Sequence, residues 1–351
     1  MKKLQHKPIV GCMRWGVWGE NFTTGQYEQI IHQCLEIGLD IFDHADIYGH
    51  YTTEADFGHA LKGNTSLRSK IKIITKCGIN MLTPNRPHHA IKSYDTSAAH
   101  ITKSVEQSLQ NFHTDYIDTL LIHRPDILID VEEVAATISA LKKAGKIKSF
   151  GVSNFTTSQL ALLHKYISVE HHQVEISVTN LSAFDNGVLD QCQLENIEAQ
   201  SWSPMGNGLF TEKTDKNNRI LKTAEALADK YSTGVNEILL AFLYIHPAHI
   251  IPVIGTTKFE RIETAKIVHS CVEGMHTAAS NEVIPYFERA SHELTIGTEK
   301  KAGGKLDKDL EYSAAAAYAF GERDADSIFA EKATDTDYQY LGMPAPKDPE
   351  D

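Results

Sequence analysis

The chain has 351 residues and a formal net charge of -12, which excludes the basic footprint of a nucleic-acid binder. Hydrophobic residues make up 42% and charged residues 23%, a globular composition with no apolar run of the ~18 residues a membrane span needs. Five scattered cysteines (Cys12, Cys34, Cys77, Cys192, Cys271), with no C-x-x-C pair, argue against a disulfide or zinc framework. The charged start Met1 to Lys7 lacks the apolar stretch of a signal peptide, so the expected compartment is the cytoplasm.

In chain order, Pro8 to Met13 reads as a first strand. A helix follows over Tyr27 to Ile37, with Gly38 as its stop. Asp40 to Asp43 and Ile71 to Thr75 are the next two apolar runs. Asp95-Thr96-Ser97 then caps a helix over Ser97 to Phe112, which leads to a strand from Tyr116 to His123. Asp130 caps a helix over Val131 to Ala144, stopped by Gly145, and Ile147 to Val152 is the fifth strand. A helix over Thr156 to Tyr166 precedes strands at His172 to Ser177, Ile197 to Trp202 and Ile250 to Ile254. Eight strands alternating with helices imply parallel strands with helical crossovers. The chain holds neither G-x-G-x-x-G nor a P-loop, which favours a closed (β/α)8 TIM barrel over an open doubly wound sheet.

The barrel is assigned to residues 1–274. Residues 275–351 read as an acidic C-terminal extension. From Val272 onward 17 Asp/Glu face 8 Lys/Arg, so that stretch holds about -9 of the total charge. It carries Gly303-Gly304, the run Ala314 to Ala317, a possible helix from Glu311 to Ala333 interrupted by Gly321, and an end expected to be disordered from Thr334.

A barrel places its chemistry at the C-terminal ends of its strands. Asp43 ends the second strand, with Tyr48 in the loop beyond. Lys76 ends the third, His123 the fourth, and Ser153-Asn154 the fifth. The sixth carries Gln173 and Glu175, and Trp202-Ser203-Pro204 ends the seventh. Asp43, Tyr48, Lys76 and His123 make a chemical unit. A free phenol is too weak an acid at neutral pH, and a neighbouring ammonium is expected to lower its pKa. Lys76 supplies that charge, Asp43 aims it, and His123 orients a substrate oxygen. Taken singly, each residue also has a structural reading as a cap or salt-bridge partner.

The segment Gly38-Leu39-Asp40-Ile41-Phe42-Asp43-His44-Ala45-Asp46-Ile47-Tyr48-Gly49 resembles the signature of the aldo-keto reductase superfamily around its catalytic Asp and Tyr. Leu121-Ile122-His123-Arg124-Pro125-Asp126 resembles the histidine strand of a bacterial oxidoreductase branch, and Phe150-Gly151-Val152-Ser153-Asn154-Phe155 is similar to the G-x-S-N-F motif. The likeness runs from about residue 7 to 270. It implies a nicotinamide cofactor and hydride transfer to a carbonyl, with Tyr48 as general acid tuned by Lys76 and Asp43. By position it implies that Ser153, Asn154 and Gln173 hold the nicotinamide carboxamide. Trp202 stacks on the ring, and the stretch Ser203 to Leu209, including Pro204 and Gly206, forms the pyrophosphate loop. Ile254 to Arg261 is similar to the adenosine-phosphate segment. Independently of the resemblance, a helix beginning near Lys258 offers free N–H groups to an anion. Lys258 and Arg261, with Thr256 ahead of them, suit a 2′-phosphate, so NADPH is the expected cofactor. His44 stands where the family usually has Thr, and Trp202 where Tyr is common.

The expected partner is a small-molecule aldehyde or ketone, with no nucleic acid and no membrane. A non-catalytic NADPH-binding redox sensor or partner subunit is the alternative; the intact tetrad argues against it. The 18 histidines invite a metal hydrolase reading. Pro8 to Met13 holds no H-x-H, however, and the adjacent pairs His88-His89 and His171-His172 would point to opposite faces of a strand. No metal site is therefore expected. The stretch Cys77 to Thr96 reads as a long loop over the mouth, with Trp18 and Phe22 as further candidates for pocket lining or packing.

Overall fold

A computed structural model describes residues 7–272. The expected acidic extension, its helix and its disordered end lie outside the described residues, as does the boundary at 275. Eight parallel strands close into one barrel: β1 (Ile9–Gly11), β2 (Ile41–Asp43), β3 (Lys72–Cys77), β4 (Ile117–Ile122), β5 (Ile147–Ser153), β6 (His171–Glu175), β7 (Glu198–Trp202) and β8 (Ile251–Ile254). Neighbours in sequence are neighbours in the sheet, and β1 pairs with both β2 and β8. This is the (β/α)8 TIM barrel the alternation of runs predicts.

Every expected strand falls within two residues of an observed one. At the mouth, His123 sits just beyond β4 and Ser177 beyond β6, whereas β3 runs on to Cys77 and β5 to Ser153.

The helices follow their sequence signals closely. The helix α1 (Thr24–Glu36) starts at a Thr23–Gln26 capping box, upstream of the apolar run that announces it. After α2 (Thr53–Leu61), Ser97 caps α3 (Ala98–Asn111) and Asp130 caps α4 (Val131–Lys143). Gly38 and Gly145 adopt left-handed backbone with φ of 79° and 72°, as helix stops require. A second capping box, Thr156 with Gln159, opens α5 (Thr157–His164) directly after the Ser153-Asn154 strand end. The chain continues through α6 (Val188–Glu195) and α7 (Val235–Tyr244) to α8 (Phe259–Val272). Residues Gly208–Val235 belong to a separate compact unit; there a Thr214-capped helix spans Asp215–Tyr231.

The barrel interior is divided. Ile9, Ile74, Leu121, Ile251 and Val253 form an apolar cluster with Ile41 against it. Burial of each such side chain contributes ~1.5–3 kcal/mol. The inward positions of β5 to β7 are polar instead, which bears on the site below. Phe42 of β2 packs with Trp15, Tyr27 and Phe57 in a second cluster, with ring centroids 5.6–6.2 Å apart. Phe22 joins that cluster at 5.8 Å from Trp15, so it packs. The stretch after β3 is not plain loop: Ile79–Asn80 pairs antiparallel with Ser93–Tyr94. No described helix is long and apolar enough to cross a membrane.

Candidate active site

The strand ends bring Asp43, Tyr48, Lys76 and His123 together. Lys76 is the penultimate residue of β3, and its side chain and that of Asp43 are 1% and 3% exposed. Its Nζ donates to both carboxylate oxygens of Asp43 (2.8 and 2.7 Å), to the His44 carbonyl (2.8 Å) and to the Tyr48 hydroxyl (3.2 Å). A buried ion pair costs several kcal/mol of desolvation per ion and persists only with such complete hydrogen bonding. Tyr48 opens a short turn in which Gly49, His50 and Tyr51 all have positive φ. His50 and Tyr51 are not glycine, so the turn stores ~1–3 kcal/mol per strained residue. Tyr51 is held by its hydroxyl, which donates to the Ile79 carbonyl at 3.0 Å.

Burial is the largest influence on Tyr48 and pushes its pKa up. The Lys76 ammonium pulls it down, and the net direction is upward. This corrects the expectation that Lys76 lowers the phenol below its ordinary value: in a dry pocket, loss of solvation outweighs one ammonium that Asp43 already compensates. Burial also pulls Lys76 down, but Asp43 and Tyr48 together hold it above the ordinary lysine value. Burial, then Lys76, Arg124 and Lys92, push His123 well below the usual range. His123 is therefore a neutral imidazole, edge-on to the Tyr48 ring with centroids 6.1 Å apart. The Trp18 ring lies against Tyr48, also at 6.1 Å.

The other predicted residues converge from β5, β6 and β7. Asn154, with φ of 60°, donates to Ser153 Oγ at 2.7 Å and accepts from Trp202 Nε1 at 2.9 Å. Gln173 donates to Asp43 Oδ1 at 2.9 Å and so joins this group to the tetrad. After β7, a turn at Ser203, Pro204 and Gly206 closes with the Gly206 N–H on the Ser203 carbonyl at 3.0 Å. Thr256 accepts the Lys258 N–H at 3.2 Å just before α8. Lys258 and Arg261 are exposed there. A cavity of about 550 Å³ opens beside Trp202, lined among others by Arg124, Asn154, Glu175 and Asn180.

A family model for the aldo/keto reductases matches residues 9–270. The chain belongs to the aldo/keto reductase family. It is thus an oxidoreductase of carbonyl chemistry with a small-molecule substrate. An uncharacterized oxidoreductase of Bacillus subtilis, YcsN, is 44% identical over 261 residues, 73% of this chain and 86% of the relative. A protein of Agrobacterium fabrum named 6-dehydroglucose reductase is 39% identical over 267 residues, 75% of this chain and 89% of its own length. The solved aldo-keto reductase AKR11C1 of Bacillus halodurans shares the fold. Its TM-score is 0.63 at 20% identity, with 75% of this chain and 86% of that one covered.

Three features escaped the sequence reading. His88 and His89 do not lie on a strand; their rings meet at 4.4 Å in the loop after β3, so the opposite-face argument applies only to His171 and His172. His44 is fully buried between Phe57 and Phe112, at ring distances of 4.5 and 5.1 Å. Gln200 is buried beside Gln173. The signal for Gln200 was available: Glu198, Gln200 and Trp202 alternate along β7, and alternation puts them on one face.

Proposed function

We propose that this protein is an NADPH-dependent reductase of aldehydes or ketones in which Tyr48 is the proton donor. The observation that carries the proposal is the simultaneous bonding of Lys76 Nζ to Asp43 and to the Tyr48 hydroxyl. Burial keeps the phenol protonated at neutral pH. It then gives its proton to the carbonyl oxygen as negative charge develops there, and Lys76 stabilises the phenolate that remains. Asp43 holds Lys76 charged and aimed. Neutral His123 hydrogen-bonds the same substrate oxygen.

The residues present fit a nicotinamide cofactor. Gln173 Oε1 has no hydrogen-bond partner among the described residues and offers an acceptor. Ser153 and Asn154 supply polar groups for the carboxamide, and Trp202 supplies an aromatic face. Ser203, Pro204 and Gly206 suit the pyrophosphate. Thr256, Lys258 and Arg261 at the start of α8 suit an adenosine 2′-phosphate, which favours NADPH. When bound, the nicotinamide supplies the hydride.

The test is NADPH oxidation over a panel of aldehydes, ketones and dicarbonyls. The name of the Agrobacterium relative places sugar aldehydes first on the panel. Steady turnover with at least one class is the expected result. No turnover with any member, by protein that binds NADPH, would overturn the reading.

A further inference from the structure

We infer that Gln200 is a positioning residue that fixes the side-chain amide of Gln173, so that Gln173 offers a bound nicotinamide only an acceptor. The inference rests on the cofactor reading above and concerns Gln200, to which nothing so far assigns a role.

The barrel interior on the β5–β7 side is a directed chain of hydrogen bonds. At its lower end Ser149 Oγ meets His171 Nε2 at 2.6 Å, and His171 Nδ1 meets Glu198 Oε1 at 3.0 Å. Gln200 Nε2 donates to the same Glu198 oxygen at 2.8 Å. Gln173 Nε2 donates to Gln200 Oε1 at 3.0 Å and to Asp43 Oδ1 at 2.9 Å. Asp43 is locked by Lys76. The strand register makes these contacts direct, because His171 pairs with Glu198 and Gln173 with Gln200.

The direction of each bond follows from the two ends. A carboxylate only accepts. Glu198 therefore demands the NH2 group of Gln200, which turns the Gln200 carbonyl toward Gln173. Asp43, at the other end, demands the NH2 group of Gln173. Both ends require the same orientation, and both N–H bonds of Gln173 are consumed. Asp43 alone would hold one N–H and leave the amide plane free to rotate. Gln200 removes that freedom by taking the second. Gln173 is 2% exposed, so in this dry interior an unbonded N–H would seek any acceptor a ligand brought. The polarity that remains is Oε1 alone, which matches a carboxamide NH2 and no group that only accepts.

The test compares binding of NADPH with binding of its 3-acetylpyridine analogue, in which a methyl ketone replaces the carboxamide. Quenching of protein fluorescence gives the dissociation constants without turnover. Wild type is expected to bind NADPH ~tenfold more tightly, the worth of one buried hydrogen bond and its unsatisfied partner. Gln200→Met keeps the length of the side chain and removes the acceptor; its preference is expected to fall to within ~twofold. Gln200→Glu restores an acceptor toward Gln173. The wild-type preference is expected to return in this variant.

Three results would overturn the inference: no preference in wild type, an unchanged preference in Gln200→Met, or a loss in Gln200→Glu equal to that in Gln200→Met. The last would mark a merely structural role. Should Gln200→Met fail to fold, Gln200→Glu against wild type decides. A wild type that binds neither nucleotide defeats the cofactor reading itself, a separate result.

Discussion

Tyr48 sits under opposed influences, and their balance suits an acid. Burial keeps its proton on before reaction, while Lys76 lowers the cost of losing it. Lys76→Met is expected to remove that help and to leave Asp43 buried with no cation. Breaking a buried pair from one side costs about 3–5 kcal/mol. Urea unfolding should show that loss, and carbonyl reduction should fall with nucleotide affinity far less affected. Asp43, Lys76 and His123 were legible as polar groups at strand ends, and Tyr48 as the phenol in the loop beyond Asp43. Their protonation balance was not, because it depends on how dry the pocket is, and solvent exclusion is a tertiary property. His44 was legible only as a departure from the family pattern. Its burial between Phe57 and Phe112 needed three elements to meet.

At the scale of elements, the caps connect sequence to site most directly. The Thr156–Gln159 capping box starts α5 two residues after Asn154, so it helps anchor the strand end that holds Ser153 and Asn154. Thr156→Ala is expected to cost about 1 kcal/mol of stability, measurable as a shifted urea midpoint. At α8 the proposed ligand is a phosphate. Arg261→Ala should weaken NADPH far more than NADH in direct binding measurements; equal effects on both would remove the 2′-phosphate role. The strands, the helices α1, α3, α4 and α5, and the caps at Ser97 and Asp130 were legible because each rests on local chemistry: apolar periodicity, Ser/Asp caps and glycine stops. The hairpin at Ile79–Asn80 and Ser93–Tyr94 was not. Its strands are two residues each, too short to carry a periodic signal.

The barrel as a whole carries an acid sensitivity that follows from two buried histidines. Burial, aided by Lys76, lowers His44 to about 3, and burial lowers His172 to about 4. Both are neutral in the fold and ordinary, near ~6.5, in the unfolded chain. Between those values the unfolded state binds more protons, so the stability they contribute is complete above about pH 6.5 and is lost as pH falls toward 3. Urea midpoints measured from pH 7 to pH 4 should therefore drop steeply. His44→Leu should flatten that drop; an unchanged slope would remove His44 from the account. Barrel closure was readable from the count of strand–helix units and the missing glycine-rich fingerprint. The division of the interior into an apolar half and a polar half was not, since inward faces are defined only once the barrel closes.

The central claim is that Tyr48 is the proton donor, and Tyr48→Phe tests it most directly. The substitution removes one oxygen and keeps the ring beside Trp18 and His123. Nucleotide affinity and turnover of the best carbonyl from the panel should be measured on the same sample. The account predicts NADPH binding within ~twofold of wild type and turnover reduced by ~10²–10⁴, the usual worth of a general acid. Turnover within a few fold of wild type would contradict it.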